Sequence, residues 1–210
     1  MRRLCLYVVC AWLSALPTAR ADIIVNWLDE PIILSHGEFA GVQTPLDING
    51  DGVTDFTFLA SVSLVGVRSE NQNRYIIFPS PPPNIGGGVE PLYSDFQIGP
   101  DLNDSNLEWF GIPTDFAPFG IWMSGESGGR FIGHHAFMGV EFEIDDSVHY
   151  GWINIKVEED FPYGRIYGWA YESSPDTPII AGEIPEPNTL LLLIGGAALL
   201  LGMRSKKYIR

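Results

Sequence analysis

The sequence predicts an all-β fold: a single antiparallel β-sandwich or jelly-roll-like domain. Three observations carry that expectation. Runs of four to eight residues rich in β-branched and aromatic side chains recur along the middle of the chain, with Gly, Pro, Asn and Asp between them. Apolar residues at the helical spacing i, i+3, i+4, i+7 are hard to find there. In the last third, apolar and polar residues alternate strictly over two neighbouring runs.

Taken in order, the first element is not part of that domain. Arg2 and Arg3 precede Leu4–Leu16, an apolar stretch of 13 residues, and Pro17 breaks it. Ala19 and Ala21 then place small side chains at the −3 and −1 positions that a signal peptidase pocket requires. A membrane-spanning helix needs ~17–25 apolar residues. Residues 1–21 therefore read as a signal peptide cleaved after Ala21. Cys5 and Cys10, the only cysteines, lie inside it, which excludes a disulfide scaffold.

The acidic middle, residues 22–183, has the size of one domain. All 26 acidic residues fall between Asp22 and Glu186, with five basic residues among them, so this span carries −21 of charge. Nucleic-acid binding and docking on an anionic membrane surface are excluded on that ground, since both depend on Lys and Arg. Expected strands are Ile23–Leu28, Asp55–Val67, Arg74–Phe78, Phe137–Ile144, Val148–Val157 and Arg165–Tyr171. The last three form an antiparallel meander with one buried face. In it Val140, Phe142 and Ile144 alternate with Glu141 and Glu143, and Asp145-Asp146-Ser147 turns the chain. Tyr150-Gly151-Trp152 and Tyr167-Gly168-Trp169 echo each other 17 residues apart. Each glycine is expected to let an aromatic ring from the adjacent strand lie across its bare backbone. Residues 79–91 and 124–129 are too rich in Pro or Gly for interior strands and read as loops.

One segment has chemical content. Asp47, Asn49, Asp51 and Asp55 place oxygen-bearing side chains at relative positions 1, 3, 5 and 9, with Gly52 at position 6 and the Val53 carbonyl at position 7. This is the first part of a calcium loop. Phe58 stands where an EF-hand has its bidentate Glu, so the loop instead resembles the D-x-N-x-D-G-x-x-D loops of dockerins and thrombospondin type 3 repeats. With one ligand position lost, Ca²⁺ affinity is expected in the range ~10⁻⁴–10⁻³ M. The competing reading is a turn that binds nothing, because Asn, Asp and Gly also favour tight turns. Three aspartates within nine residues repel one another without a cation, which favours calcium.

Other chemistry is lacking. His36, His134, His135 and His149 carry no zinc spacing, and no G-x-S-x-G, cysteine nucleophile or Walker loop is present. Glu141/Glu143 and Glu158/Asp160 are spaced as solvated strand faces rather than as a glycosidase pair. Trp27, Trp109, Trp122, Trp152 and Trp169 read mainly as core, with Trp109 and Trp122, in loop-like surroundings, the candidates for exposed rings that stack on sugars. No catalytic residue is predicted.

The C-terminus, residues 184–210, has three parts in order: Pro185-Glu186-Pro187, an uncharged apolar stretch Thr189–Met203, and a tail with Arg204, Lys206, Lys207 and Arg210. As a plain tail anchor it would hold the basic end in the cytoplasm and the acidic domain outside. The ordered triplet resembles the PEP-CTERM sorting signal of Gram-negative bacteria, which exosortases recognise. Asp47–Phe58, Gly139–Ile144, His149–Ile153 and Gly168–Glu172 also resemble, more diffusely, a recurring type of PEP-CTERM protein.

The resemblance implies export and a transient inner-membrane tether through the sorting helix alone. It further implies removal of the tail, as in a GPI signal, and release to the cell surface or the medium. Signal peptidase and exosortase would be the partners in maturation. PEP-CTERM proteins are associated with exopolysaccharide and envelope assembly, so the expected function is a non-enzymatic surface or matrix component. A carbohydrate-binding module or a glycan-active enzyme is the alternative.

Overall fold

The computed structural model describes residues 22–35, 41–79, 87–111, 121–125, 129–159 and 163–185. Residues 1–21, expected to be a signal peptide, the apolar C-terminal stretch and His36 lie outside the described residues. Within them the protein is all-β, with sheets that are almost wholly antiparallel. Its strands are β1 (Ile23–Leu34), β2 (Val42–Leu46), β3 (Phe56–Ala60), β4 (Leu64–Ser69), β5 (Arg74–Pro79), β6 (Gly87–Val89), β7 (Gln97–Ile98), β8 (Glu108–Phe110), β9 (Ile121–Gly125), β10 (His135–Ile144), β11 (Ser147–Val157), β12 (Gly164–Glu172) and β13 (Ile179–Ile180).

One sheet runs β1-β12-β11-β10-β5-β6-β9-β4-β3-β2, with β8 added beside β5; the β6/β9 contact is its one parallel pairing among the described strands. A ribbon of β7 and β13 stands apart. The main sheet closes over itself in a sandwich-like manner. Its core draws Phe56, Phe58 and Val67 from one end of the strand order and Ile153, Ile155 and Ile166 from the other, all with no exposure. Burying each such side chain stabilises the fold by about 1.5–3 kcal/mol.

The meander forms where the alternation places it. β10 and β11 pair without interruption from Ile144↔Ser147 to His135↔Lys156. Their two-residue turn holds Asp145 and Asp146 at φ +50° and +59°, the left-handed pair that matches the twist of a tight hairpin. Gly168 does receive an aromatic ring: a Cβ there would lie 2.7 Å from Cε3 of Trp27 on β1. At Gly151 the close neighbour is backbone, the Ala170 carbonyl oxygen.

Four expectations need correction. Asp55–Val67 is two strands, because Ser61-Val62-Ser63 turns the chain, closed by the Ser61 N–H donating to the Leu64 carbonyl (2.9 Å). The Pro/Gly-rich segment 79–91 contributes β6, whose Val89 is fully buried, and β9 reaches into 124–129 as far as Gly125. β1 continues past Leu28 to Leu34, crossing an irregularity between Trp27 and Ile32. Lastly, the meander buries both faces. Phe137, Tyr150, Trp152 and Ala170 on its outer side pack under Leu92, Ile98, Ile179 and Ala181. Glu141 is consequently not solvated. It is 4% exposed and accepts from Arg74 Nε at 2.7 Å, whereas Glu143 is exposed as expected.

Candidate functional site

The Asp47–Asp55 loop connects β2 to β3 and is built by its own carboxylates. Asp47 accepts from the Gly50 N–H through Oδ1 (2.7 Å) and from the Gly52 N–H through Oδ2 (2.8 Å). Asn49 Oδ1 accepts from the Asp51 N–H, and Asp51 Oδ1 from the Val53 N–H. Gly50 and Gly52 sit at φ +78° and +88°, where a Cβ is disfavoured, so the glycine expected at the sharp turn is required there. Positions 1, 3 and 5 thus wind round one exposed turn.

Asp55 is placed differently. It is 5% exposed, and both carboxylate oxygens are taken: Oδ2 by the Ile48 N–H (2.8 Å) and Oδ1 by Asn73 Nδ2 (3.0 Å). Burial pushes its carboxyl up to about 6; the charges of Asp47 and Asp51 add to this, and the two hydrogen bonds oppose it. Among the described residues, no three His, Cys, Asp or Glu side chains converge closely enough to hold a metal ion. The arrangement offers Asp47, Asn49, Asp51 and the Val53 carbonyl on the turn, with Asp55 folded behind it.

Two residues fix the loop to the rest of the fold: Trp169, which the sequence suggested only as core, and Asn73, for which it suggested no role. Trp169 on β12 donates its indole N–H to the Ile48 carbonyl at 2.9 Å, across 121 positions of sequence. Asn73 reaches Asp55 with Nδ2 and accepts from the Glu143 N–H with Oδ1 (3.2 Å), so it ties the loop to β10. Tyr171 also faces this corner: burial raises its phenol pKa, and the Asp47 and Asp55 charges raise it further.

No protein-family model matches the chain, and no curated protein or solved structure is similar to it.

The remaining candidates disperse. His134 Nδ1 meets the Tyr93 hydroxyl (2.7 Å), His135 Nε2 meets Asn154 Oδ1 (2.7 Å), and His149 Nδ1 meets the Glu172 carbonyl (2.9 Å), three unconnected places. Glu158 pairs with Lys156 and Arg165, and Asp160 lies outside the described residues. Trp109 is half-buried against Tyr150, with its indole N–H on the Gly99 carbonyl. The Trp122 side chain lies outside the described residues. Among the described residues the exposed indole is Trp27, at 55%. Of the expected sorting motif, Pro185 is described and exposed, while Glu186 and Pro187 lie outside the described residues, as do Ala19 and Ala21.

Proposed function

We propose that the protein is exported and exosortase-processed, a non-enzymatic component of the cell surface or extracellular matrix whose domain binds Ca²⁺ at the Asp47–Asp55 loop. The observation that carries this reading is the ordered C-terminal triplet of Pro185-Glu186-Pro187, an apolar stretch and a basic tail, in a chain that opens with a signal peptide. The domain's own boundaries support it. β1 begins at Ile23, directly after the expected cleavage point, and Glu183, Ile184 and Pro185 leave the fold as exposed chain. Exposed chain at Pro185 suits a motif that a processing enzyme must reach. The sandwich-like sheet is read as a jelly-roll-like domain standing beside exopolysaccharide in the envelope.

The calcium part rests on the loop's charge. Asp47 and Asp51 share one turn with an aspartate behind them, and a divalent cation reverses that repulsion. Asp47, Asn49, Asp51 and the Val53 carbonyl would hold it, with Asp55 reached directly or through water.

Intact-mass measurement of the native protein tests the processing. The expected species begins at Asp22 and ends near Glu186. A mature chain that retains Thr189–Arg210 would mean a permanent tail anchor.

A further inference from the structure

The outer face of β1, β12, β11 and β10 is covered at one end only. Where Leu92, Ile98 and Ile179 stop, a patch of rings and neutral polar groups stays open. Trp27 is its centre. Its ring crosses Gly168 and packs at 5.5 Å on Trp152, so one side lies on the sheet and 55% of the residue faces solvent. An irregularity in β12 sets Ile155 opposite Ile166 and Asn154 opposite Gly168, which leaves Tyr167 as the extra residue. Such a bulge re-aims a side chain, and here Tyr167 stacks on His135 of β10, centroids 4.8 Å apart and planes at 32°.

The polar atoms between these rings are matched to one another. With Asn154 Oδ1 accepting at 2.7 Å, His135 Nε2 carries the proton. His135 is exposed, whereas Asn154 is buried, 9% exposed. Lys156 and Arg165, the cations of this face, are both engaged by Glu158. From Trp27 to His135 the patch crosses four neighbouring strands, roughly 14 Å.

We propose that this face binds a neutral polysaccharide chain, laid across the strands with its sugar rings on Trp27 and on the Tyr167–His135 pair. Hydroxyl groups both donate and accept, which suits the exposed imidazole of His135 between the rings. An anionic polymer finds its would-be cations already paired on a span, Asp22 to Glu186, carrying −21 of charge. An apolar protein surface would bury the exposed His135 imidazole with no partner for its second ring nitrogen. The surface stands apart from the calcium loop and the sorting tail, so its failure leaves those readings intact, and theirs leaves it intact.

The test is calorimetric titration of the full chain, kept in detergent for its apolar C-terminal stretch. The probes are hexasaccharides of α- and β-linked neutral hexoses, with oligogalacturonate as the charged comparison. At least one neutral hexasaccharide should bind, and oligogalacturonate should bind more weakly. Trp27→Ala should weaken binding tenfold or more. Tyr167→Ala and His135→Ala, which leave the Trp152 contact in place, should each weaken it severalfold with an unchanged unfolding midpoint. Val62→Ala, exposed at the turn between β3 and β4, should change nothing. Three results would overturn the proposal: no neutral hexasaccharide binds, binding survives both ring deletions, or oligogalacturonate binds more tightly than the neutral probes.

Discussion

The β10–β12 meander and the Asp47–Asp55 loop touch, through the Trp169 indole on the Ile48 carbonyl, yet opposite means hold them. The meander rests on unbroken antiparallel pairing and on apolar burial of both faces, with Trp152, Ile153 and Ile155 fully enclosed. The loop buries little beyond Ile48 and Asp55. Its backbone N–H groups bond to carboxylate and amide oxygens, those of Asp47, Asn49, Asp51 and Asp55. Apolar packing is indifferent to pH and ions, whereas carboxylates gathered on one turn respond to both. One sheet therefore contains a region stabilised by exclusion of water and another stabilised by charge that needs an answer.

The sharpest way to separate the two is to damage each in its own terms. Trp152→Ala removes the largest enclosed side chain of the meander, from between Trp27 and Phe137. Denaturant unfolding should show a loss of about 3–5 kcal/mol, equal in chelator and in calcium. If the loss depended on calcium, the two regions would not be independent.

Next in size is the pH response of the loop. Asp55 has a folded pKa of about 6, above its ordinary 3.8, so the folded protein binds the extra proton. Stability from this group is full below about pH 4 and is lost as pH rises through 6, a fall of roughly 3 kcal/mol. In chelator, wild type should lose roughly 2–2.5 kcal/mol of this relative to Asp55→Asn between pH 4 and pH 7. Parallel pH profiles for the two proteins would show that the buried carboxyl carries no such cost.

The smallest effect belongs to the meander's turn. Asp146 holds φ +59°, where glycine is free of strain, so Asp146→Gly should raise stability by ~1 kcal/mol in thermal unfolding. No gain would mean that the aspartate side chain repays its backbone strain locally.

The same contrast explains what the sequence made legible. Period-two alternation between Val140 and Val157 specifies the meander and its turn because pairing there is local. Burial of Glu141 was not legible: the strand that pairs with it, β5, and its partner Arg74, 67 positions away, leave no local pattern. Ser61-Val62-Ser63 hid a turn inside an apolar run, since serine turns carry a weak signal beside Gly or Pro. Val89 was hidden the other way, as a short interior strand within glycines. At the loop the ligand spacing was plain, but the placement of Asp55 was not. Asn73 and Trp169, which hold its surroundings, come from distant strands and leave no local pattern.

Whether the loop needs a cation, and the meander does not, is decided most directly by amide hydrogen exchange with and without calcium. The amides of Ile48, Gly50, Gly52 and Val53 should exchange at least tenfold more slowly in saturating calcium. Meander amides that open locally should keep their rates, and those that exchange only by global unfolding should slow with overall stability, by up to about 2.7 kcal/mol at 100-fold excess over Kd. Asp51→Ala should abolish both changes while the protein stays folded. Identical loop exchange in chelator and in calcium would contradict the calcium reading and leave Asp47–Asp55 as a turn closed by its own hydrogen bonds.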